Sequence, residues 1–199
     1  MKNNLFTNKP VLIYVLFLLS AVAYYLLCYQ TKRGDFGSVI SLFIILFFLY
    51  FILYKFYSTT HFTYLFIAAI LFRVLMLFSI PNLSDDIYRF IWDGRIAANG
   101  INPFNHLPAE IMQMPAIHGI TNELFLQLNS PNYYTIYPPV MQGIFWLAGK
   151  FFTTNVFAAI LFFKSLIIVS EVGVAFLMIQ ILVNLNCRNI CRYCIFLIL

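Results

Sequence analysis

Long apolar runs broken by short polar punctuation fill both ends of this chain, and a polar stretch rich in proline, asparagine and glutamine separates them. A helix needs about 20 residues to cross the roughly 30 Å of bilayer hydrocarbon. Measured that way, five runs predict membrane spans. The first covers residues 11–30 and stops at the turn signal Thr31-Lys32-Arg33-Gly34-Asp35. The second covers 39–57 and ends at Ser58-Thr59-Thr60-His61, and the third covers 62–80, where Pro81 ends it. The fourth, 140–152, is short for a crossing unless its helix starts in the aromatic stretch before it or the bilayer thins around it. The fifth covers 156–183, and the apolar residues 193–199 begin a sixth that the chain does not complete, so the expectation is the N-terminal part of a longer protein.

Residues 81–139 form no span and predict a large extramembranous loop with short helices of its own. Ser84 is a suitable N-cap, and Asp85 and Asp86 then fall in the first turn, where carboxylates meet the positive end of the helix dipole. This helix is expected to reach Asn99, with Gly100 at its C-cap. Ile87, Phe90, Ile91 and Trp92 supply an apolar face suited to lying along the membrane interface. Tyr133, Tyr134 and Tyr137 suit the headgroup level, and Pro138-Pro139 is able to open the next helix. The predicted fold is therefore an all-α integral membrane protein. It has about five transmembrane helices and a partial sixth in one transmembrane domain over 1–199, with the large loop at 81–139.

Composition agrees with this class. Hydrophobic residues make up 62% and charged residues 10%, too little polar surface to cover a water-soluble globule. The net charge of +5 resides mostly at the ends of apolar runs, where anchoring and topology account for it, so no nucleic-acid partner is called for. The first run follows Lys2 and Lys9 as in a signal peptide, but bulky Leu27-Cys28-Tyr29-Gln30 offers no cleavage site, which makes it a retained span. Cys187, Cys191 and Cys194 cluster without the paired spacing of a zinc site. Positive charge does not settle topology: Lys2, Lys9, Lys55 and Lys150 favour one side, and Lys32, Arg33, Arg188 and Arg192 the other.

The remaining charges are concentrated. Three of the seven acidic residues, Asp85, Asp86 and Asp93, lie within twelve positions together with Arg89 and Arg95. Asp85, Arg89 and Asp93 recur at four-residue spacing and form one helical row. The row is suited either to orienting a base and, with Arg95, meeting a phosphate, or to self-pairing on a solvated surface helix. The adjacent carboxylates Asp85 and Asp86 suit a general base or a shared divalent cation, between which the sequence does not choose. Arg73 lies inside the third run, where a charge costs roughly 3 kcal/mol or more unless it is paired or faces protein. Lys164 and Glu171, seven residues apart on one face of the fifth run, call for partners across a helix bundle. His106, His118, Glu110 and Glu123 have no ligand spacing and read as loop surface.

Three ordered blocks, Pro81-Asn-Leu-Ser-Asp-Asp-Ile-Tyr-Arg-Phe-Ile-Trp-Asp-Gly-Arg95, Gly100-Ile-Asn-Pro-Phe104 and Thr135-Ile-Tyr-Pro-Pro139, resemble membrane mannosyltransferases of the GT-C glycosyltransferase superfamily. The resemblance covers about residues 65–175, including Arg73 and the helix carrying Lys164 and Glu171. It implies a multi-pass enzyme, expected in a bacterial inner membrane. Such an enzyme moves a hexose, mannose by resemblance, from a polyprenyl-phosphate donor to a glycan or lipid acceptor, with an acidic motif in an extracytoplasmic loop as its centre. Asp85 and Asp86 are then the candidate catalytic residues, and Arg89, Asp93, Arg95, Tyr137 and Arg73 the candidates for substrate binding. Two spans ahead of the one carrying Arg73 depart from the usual pattern, and the helices that would complete the donor and acceptor sites are absent from these residues. A transporter of lipid-linked sugars, or a non-catalytic remnant of such an enzyme, would also carry a buried Arg, Lys and Glu. A transporter, however, concentrates charge near mid-membrane in broken helices, whereas the densest cluster here is in the loop.

Overall fold

The computed structural model describes residues 10–57 and 62–185. Their regular secondary structure is all helical, and no strand occurs among them. The cysteine cluster, the polar residues 58–61 and the expected start of a sixth span lie outside the described residues. Two compact units are distinguished. One combines the helices up to Ser79 with the chain from Ser165 onward, and the other is Ile80–Lys164.

In the first unit, α1 runs Pro10–Tyr25 and continues as a π-helical turn over Leu26–Gln30. The hydroxyl of Thr31 closes that turn by donating to the Leu26 carbonyl at 2.9 Å. Helix α2 (Phe36–Tyr57) packs back on α1, and Ile13, Leu16, Leu49, Leu53, Tyr57 and Leu65 form a shared core. Helix α3 (Phe62–Leu77) packs on α1 as well: the Tyr24 and Phe72 rings are 5.2 Å apart, and the Tyr29 hydroxyl donates to the Leu75 carbonyl at 2.7 Å. Most other large side chains of α1 and α2 face outward and are apolar, as lipid-facing surfaces require.

Among the described residues, three helical stretches are long and apolar enough to cross a membrane: Val11–Gln30, Phe36–Tyr57 and Val156–Met178. The two other runs expected to span are shorter. Helix α3 stops at Leu77 rather than Ile80, because Pro81 restrains the residue before it and Ser79 turns back, its hydroxyl donating to the Met76 carbonyl at 2.8 Å. The fourth run is the 13-residue helix α7 (Pro139–Phe151), about 20 Å long at 1.5 Å per residue.

The second unit is built on α4 (Asp86–Ala98), which packs along α7. Short helices α5 (Pro108–Ile111) and α6 (Asn122–Leu126) and the start of α8 (Val156–Asn184) complete it. Ile87, Ile91, Trp92 and Ile96 of α4 share one core with Ile111, Leu124, Phe145, Ala148, Ile160 and Phe163. Helices α4 and α7 meet at glycines. A Cβ on Gly94 would overlap the Phe145 carbonyl, and one on Gly149 would overlap the Gly94 carbonyl, so the two backbones touch directly. Gly100, with φ of 81°, ends α4 in the left-handed conformation that glycine adopts without strain.

Candidate active site

Helix α4 begins one residue later than its cap chemistry suggested. Asp85 occupies the N-cap position without a side-chain cap bond, and Asp86 is the first helical residue. Ser84 engages Asp86 instead. Its hydroxyl donates to Asp86 Oδ2 at 3.0 Å and accepts from the Asp86 amide at 3.3 Å. The other carboxylate oxygen, Oδ1, accepts from the side-chain amide of Asn129 at 2.7 Å. Asp86 is half-buried and Asp85 exposed, both at the positive end of the helix.

One turn further on, Arg89 Nε donates to Asp93 Oδ1 at 2.9 Å, and these side chains are only 3% and 0% exposed. Four-residue spacing brought the pair together as expected, but not on a solvated surface. Burial of an ion pair costs less when further hydrogen bonds serve its remaining polar atoms. Arg89 Nη1 donates to the backbone carbonyls of Ser130 and Tyr133, each at 2.9 Å. Asp93 Oδ2 accepts from Gln142 Nε2 at 3.0 Å, and the same amide lies 2.8 Å from Thr135 Oγ1. Arg89 Nη2 and Gln142 Oε1 are buried without a hydrogen-bond partner.

Tyr137 stands beside this network. Its ring meets Phe90 edge-on at 4.8 Å and Phe145 at 5.5 Å, while Phe90 and Phe145 stack at 4.6 Å. Burial, then the Asp86 and Asp93 carboxylates, raise the Tyr137 phenol above its ordinary value, against a smaller opposing effect of Arg89. A raised phenol favours folding fully below its unfolded pKa of about 10, and that contribution is lost as pH climbs through the higher folded value. At neutral pH the group is therefore a hydroxyl.

Arg95 points away from these groups. Residues 88 and 95 share the face of α4 opposite 86, 89 and 93. The Arg95 guanidinium is buried, with Nη1 donating to the Gly119 carbonyl at 2.8 Å, Nη2 lying 3.5 Å from the Phe152 carbonyl, and Nε without a partner. Burial lowers its pKa. The residue borders a cavity of about 410 Å³ that Tyr88, Thr121, Glu123 and Gln127 also line. Arg73, in the first unit, makes a separate ion pair: its Nε donates to Glu171 Oε2 at 2.6 Å. Glu171 does therefore meet a partner from another helix, and that partner is Arg73. Among the described residues, no group of three or more His, Cys, Asp or Glu side chains comes together to hold a metal ion.

Asn129 and Gln142 escaped the sequence reading. Gln142 did leave a signal, as a lone amide within an apolar helix. Asn129 left none, because asparagine recurs throughout the loop.

Residues 18–193 match the family described as alpha-(1->6)-mannopyranosyltransferase, N-terminal domain. The chain belongs to this mannosyltransferase family. No curated protein and no solved structure matches it significantly. The matched stretch takes in Arg73, the acidic motif, the Thr135–Pro139 block and Glu171. Family membership and the long apolar helices together make this a membrane glycosyltransferase with a role in mannosyl transfer, in line with the resemblance carried by the three blocks.

Proposed function

We propose that this mannosyltransferase moves a mannosyl group from a polyprenyl-phosphate donor to a hydroxyl of a glycan or lipid acceptor. The transfer takes place on the extracytoplasmic face of a bacterial inner membrane, with Asp86 as the base and Asp85 beside it. The (1->6) linkage in the family description supports a primary sugar hydroxyl as the acceptor group. The observation carrying this reading is the state of Asp86: a carboxylate at a helix N-terminus, held on both oxygens by neutral donors, on a helix fixed by a buried ion pair.

In the reaction the acceptor oxygen bonds to C1 of mannose while the bond from C1 to the phosphate oxygen breaks. The acceptor proton passes to Asp86, and polyprenyl phosphate leaves with the bonding electrons. The transition state carries oxocarbenium character at C1, so a nearby carboxylate serves both as proton acceptor and as a counter-charge. Thr135 and Tyr137 border the same network, which supports the resemblance block they belong to as part of one site. The pairing of Arg73 with Glu171 supports a role in holding α3 to α8 in the first unit, not a place among the reacting groups.

The test is transfer from radiolabelled polyprenyl-phosphate mannose by membranes expressing the gene, compared with Asp85→Asn and Asp86→Asn. Asp86→Asn is expected to lose on the order of 100-fold or more in rate, as removal of a general base does. Parental rates from both variants would overturn the proposal.

A further inference from the structure

We infer that Asn129 is a positioning residue that aims the Asp86 carboxylate, and that Arg89 serves the site by clamping the segment carrying Asn129. The inference rests on Asp86 as the base. It begins with a chain of three hydrogen bonds. The Ser130 hydroxyl donates to Asn129 Oδ1 at 2.9 Å, which orients the amide with its NH₂ toward Asp86. That NH₂ donates to Asp86 Oδ1 at 2.7 Å, and Ser84 holds Oδ2 from the other side. A carboxylate oxygen has two lone-pair sites, so one donor on each oxygen fixes the plane of the group and leaves acceptor capacity for an incoming hydroxyl.

Asn129 is 43 positions from Asp86 in sequence, and something must keep it in place. Arg89 does so through the main chain. Its Nη1 bridges the carbonyls of Ser130 and Tyr133, closing the turn in which the Tyr133 amide donates to Ser130 O at 3.3 Å. The Ala109 amide adds a bond to the Pro131 carbonyl at 3.2 Å. With its side chain 3% exposed and its Nε on Asp93, Arg89 has no face to offer a phosphate in this arrangement. Nε is held by Asp93 and Nη1 by the two carbonyls, while Nη2 is buried. Because Asn129 itself is exposed, removing its amide disturbs the carboxylate without opening the core.

The experiment measures steady-state transfer by membranes expressing the gene, using radiolabelled polyprenyl-phosphate mannose and octyl α-mannoside, alongside thermal unfolding in detergent. Asn129→Asp replaces the donor with a like charge, and Asn129→Ala removes it. Both are expected to lower kcat, by roughly 100-fold for Asp and roughly tenfold for Ala, the scale of misplacing a catalytic group by about an ångström. KM for the donor should stay within about threefold and Tm should be unchanged, and Asn129→Gln, which keeps a donor, should recover part of kcat. Parental kcat in Asn129→Ala and Asn129→Asp overturns the inference. So does a loss that appears in KM, or one that comes with a lowered Tm. Asp86→Asn separates the two readings. If that variant is inactive while the Asn129 variants are parental, only the positioning role fails; if it is fully active, the base assignment fails with it.

Discussion

Arg73 and Glu171 lie 98 positions apart and meet through a 2.6 Å hydrogen-bonded ion pair that joins two apolar helices, α3 and α8. Arg73 also donates to the Ala69 carbonyl at 3.2 Å, a bond that holds its guanidinium against its own helix. An unpaired charge at the centre of a membrane helix costs about 2.5–3.5 kcal/mol by insertion scales. Arg73→Leu and Glu171→Leu should each lower the thermal stability of the detergent-solubilised protein. Removing both charges together should recover much of the loss, because no uncompensated ion remains. A double variant that melts no higher than the worse single would show that the pair does not act as a unit.

The close approach of Gly94 and Phe145 predicts opposite signs among three glycines of comparable appearance. Gly94→Ala forces a Cβ onto the Phe145 backbone, and Gly149→Ala does the same against Gly94. Helices α4 and α7 must then separate. Overpacking of this kind costs about 1–3 kcal/mol and more where backbone is the obstacle, and activity should fall with it because α4 carries Asp86, the proposed base. Gly143, in the same helix α7, has open space around it. There an alanine should stabilise by up to about 1 kcal/mol through helix propensity alone. Melting temperatures of the three variants, two lowered and one slightly raised, check the close approach directly.

Gln142 ties Asp93 to Thr135, and its substitutions should separate hydrogen bonding from charge. Gln142→Leu keeps the bulk but leaves Asp93 Oδ2 without its donor, a loss of about 1.5–3 kcal/mol for a bond to a charged group. Gln142→Glu sets a second carboxylate against a fully buried one and should cost more. Asp93→Asn strands the buried Arg89, for which about 3–5 kcal/mol is the expected scale. Denaturation in detergent should rank parent above Gln142→Leu, and Gln142→Leu above Gln142→Glu and Asp93→Asn. A Gln142→Leu protein as stable as the parent would mean that the amide contributes nothing net.

Much of this protein was legible from the order of its residues, because hydrophobic period and punctuation act locally. The first two long helices fall close to where their apolar runs and turn residues place them, and the 16-residue α3 is shortened only where Ser79 and Pro81 intervene. Arg89 and Asp93 meet because four residues is one helical turn, which needs no knowledge of the rest of the fold. The three sequence blocks likewise pointed to the family that the chain proves to belong to.

Partner choice was a different matter. Nothing in a single sequence pairs Arg73 with Glu171, or brings Asn129 to Asp86 and Gln142 to Asp93, since each contact closes over dozens of residues and depends on how helices pack. Burial likewise became known only with the neighbours in place. The acidic row reads equally well as a solvated helix face until the Ser130–Tyr133 turn meets Arg89 and Gln142 of α7 meets Asp93, with both side chains out of water. The residue pattern determined the helices, the membrane class and the place where charge concentrates. Tertiary structure decided which of the motif's charges hold the fold and which remain at its surface, because desolvation and long-range hydrogen bonding belong to the packed chain and not to any segment of it.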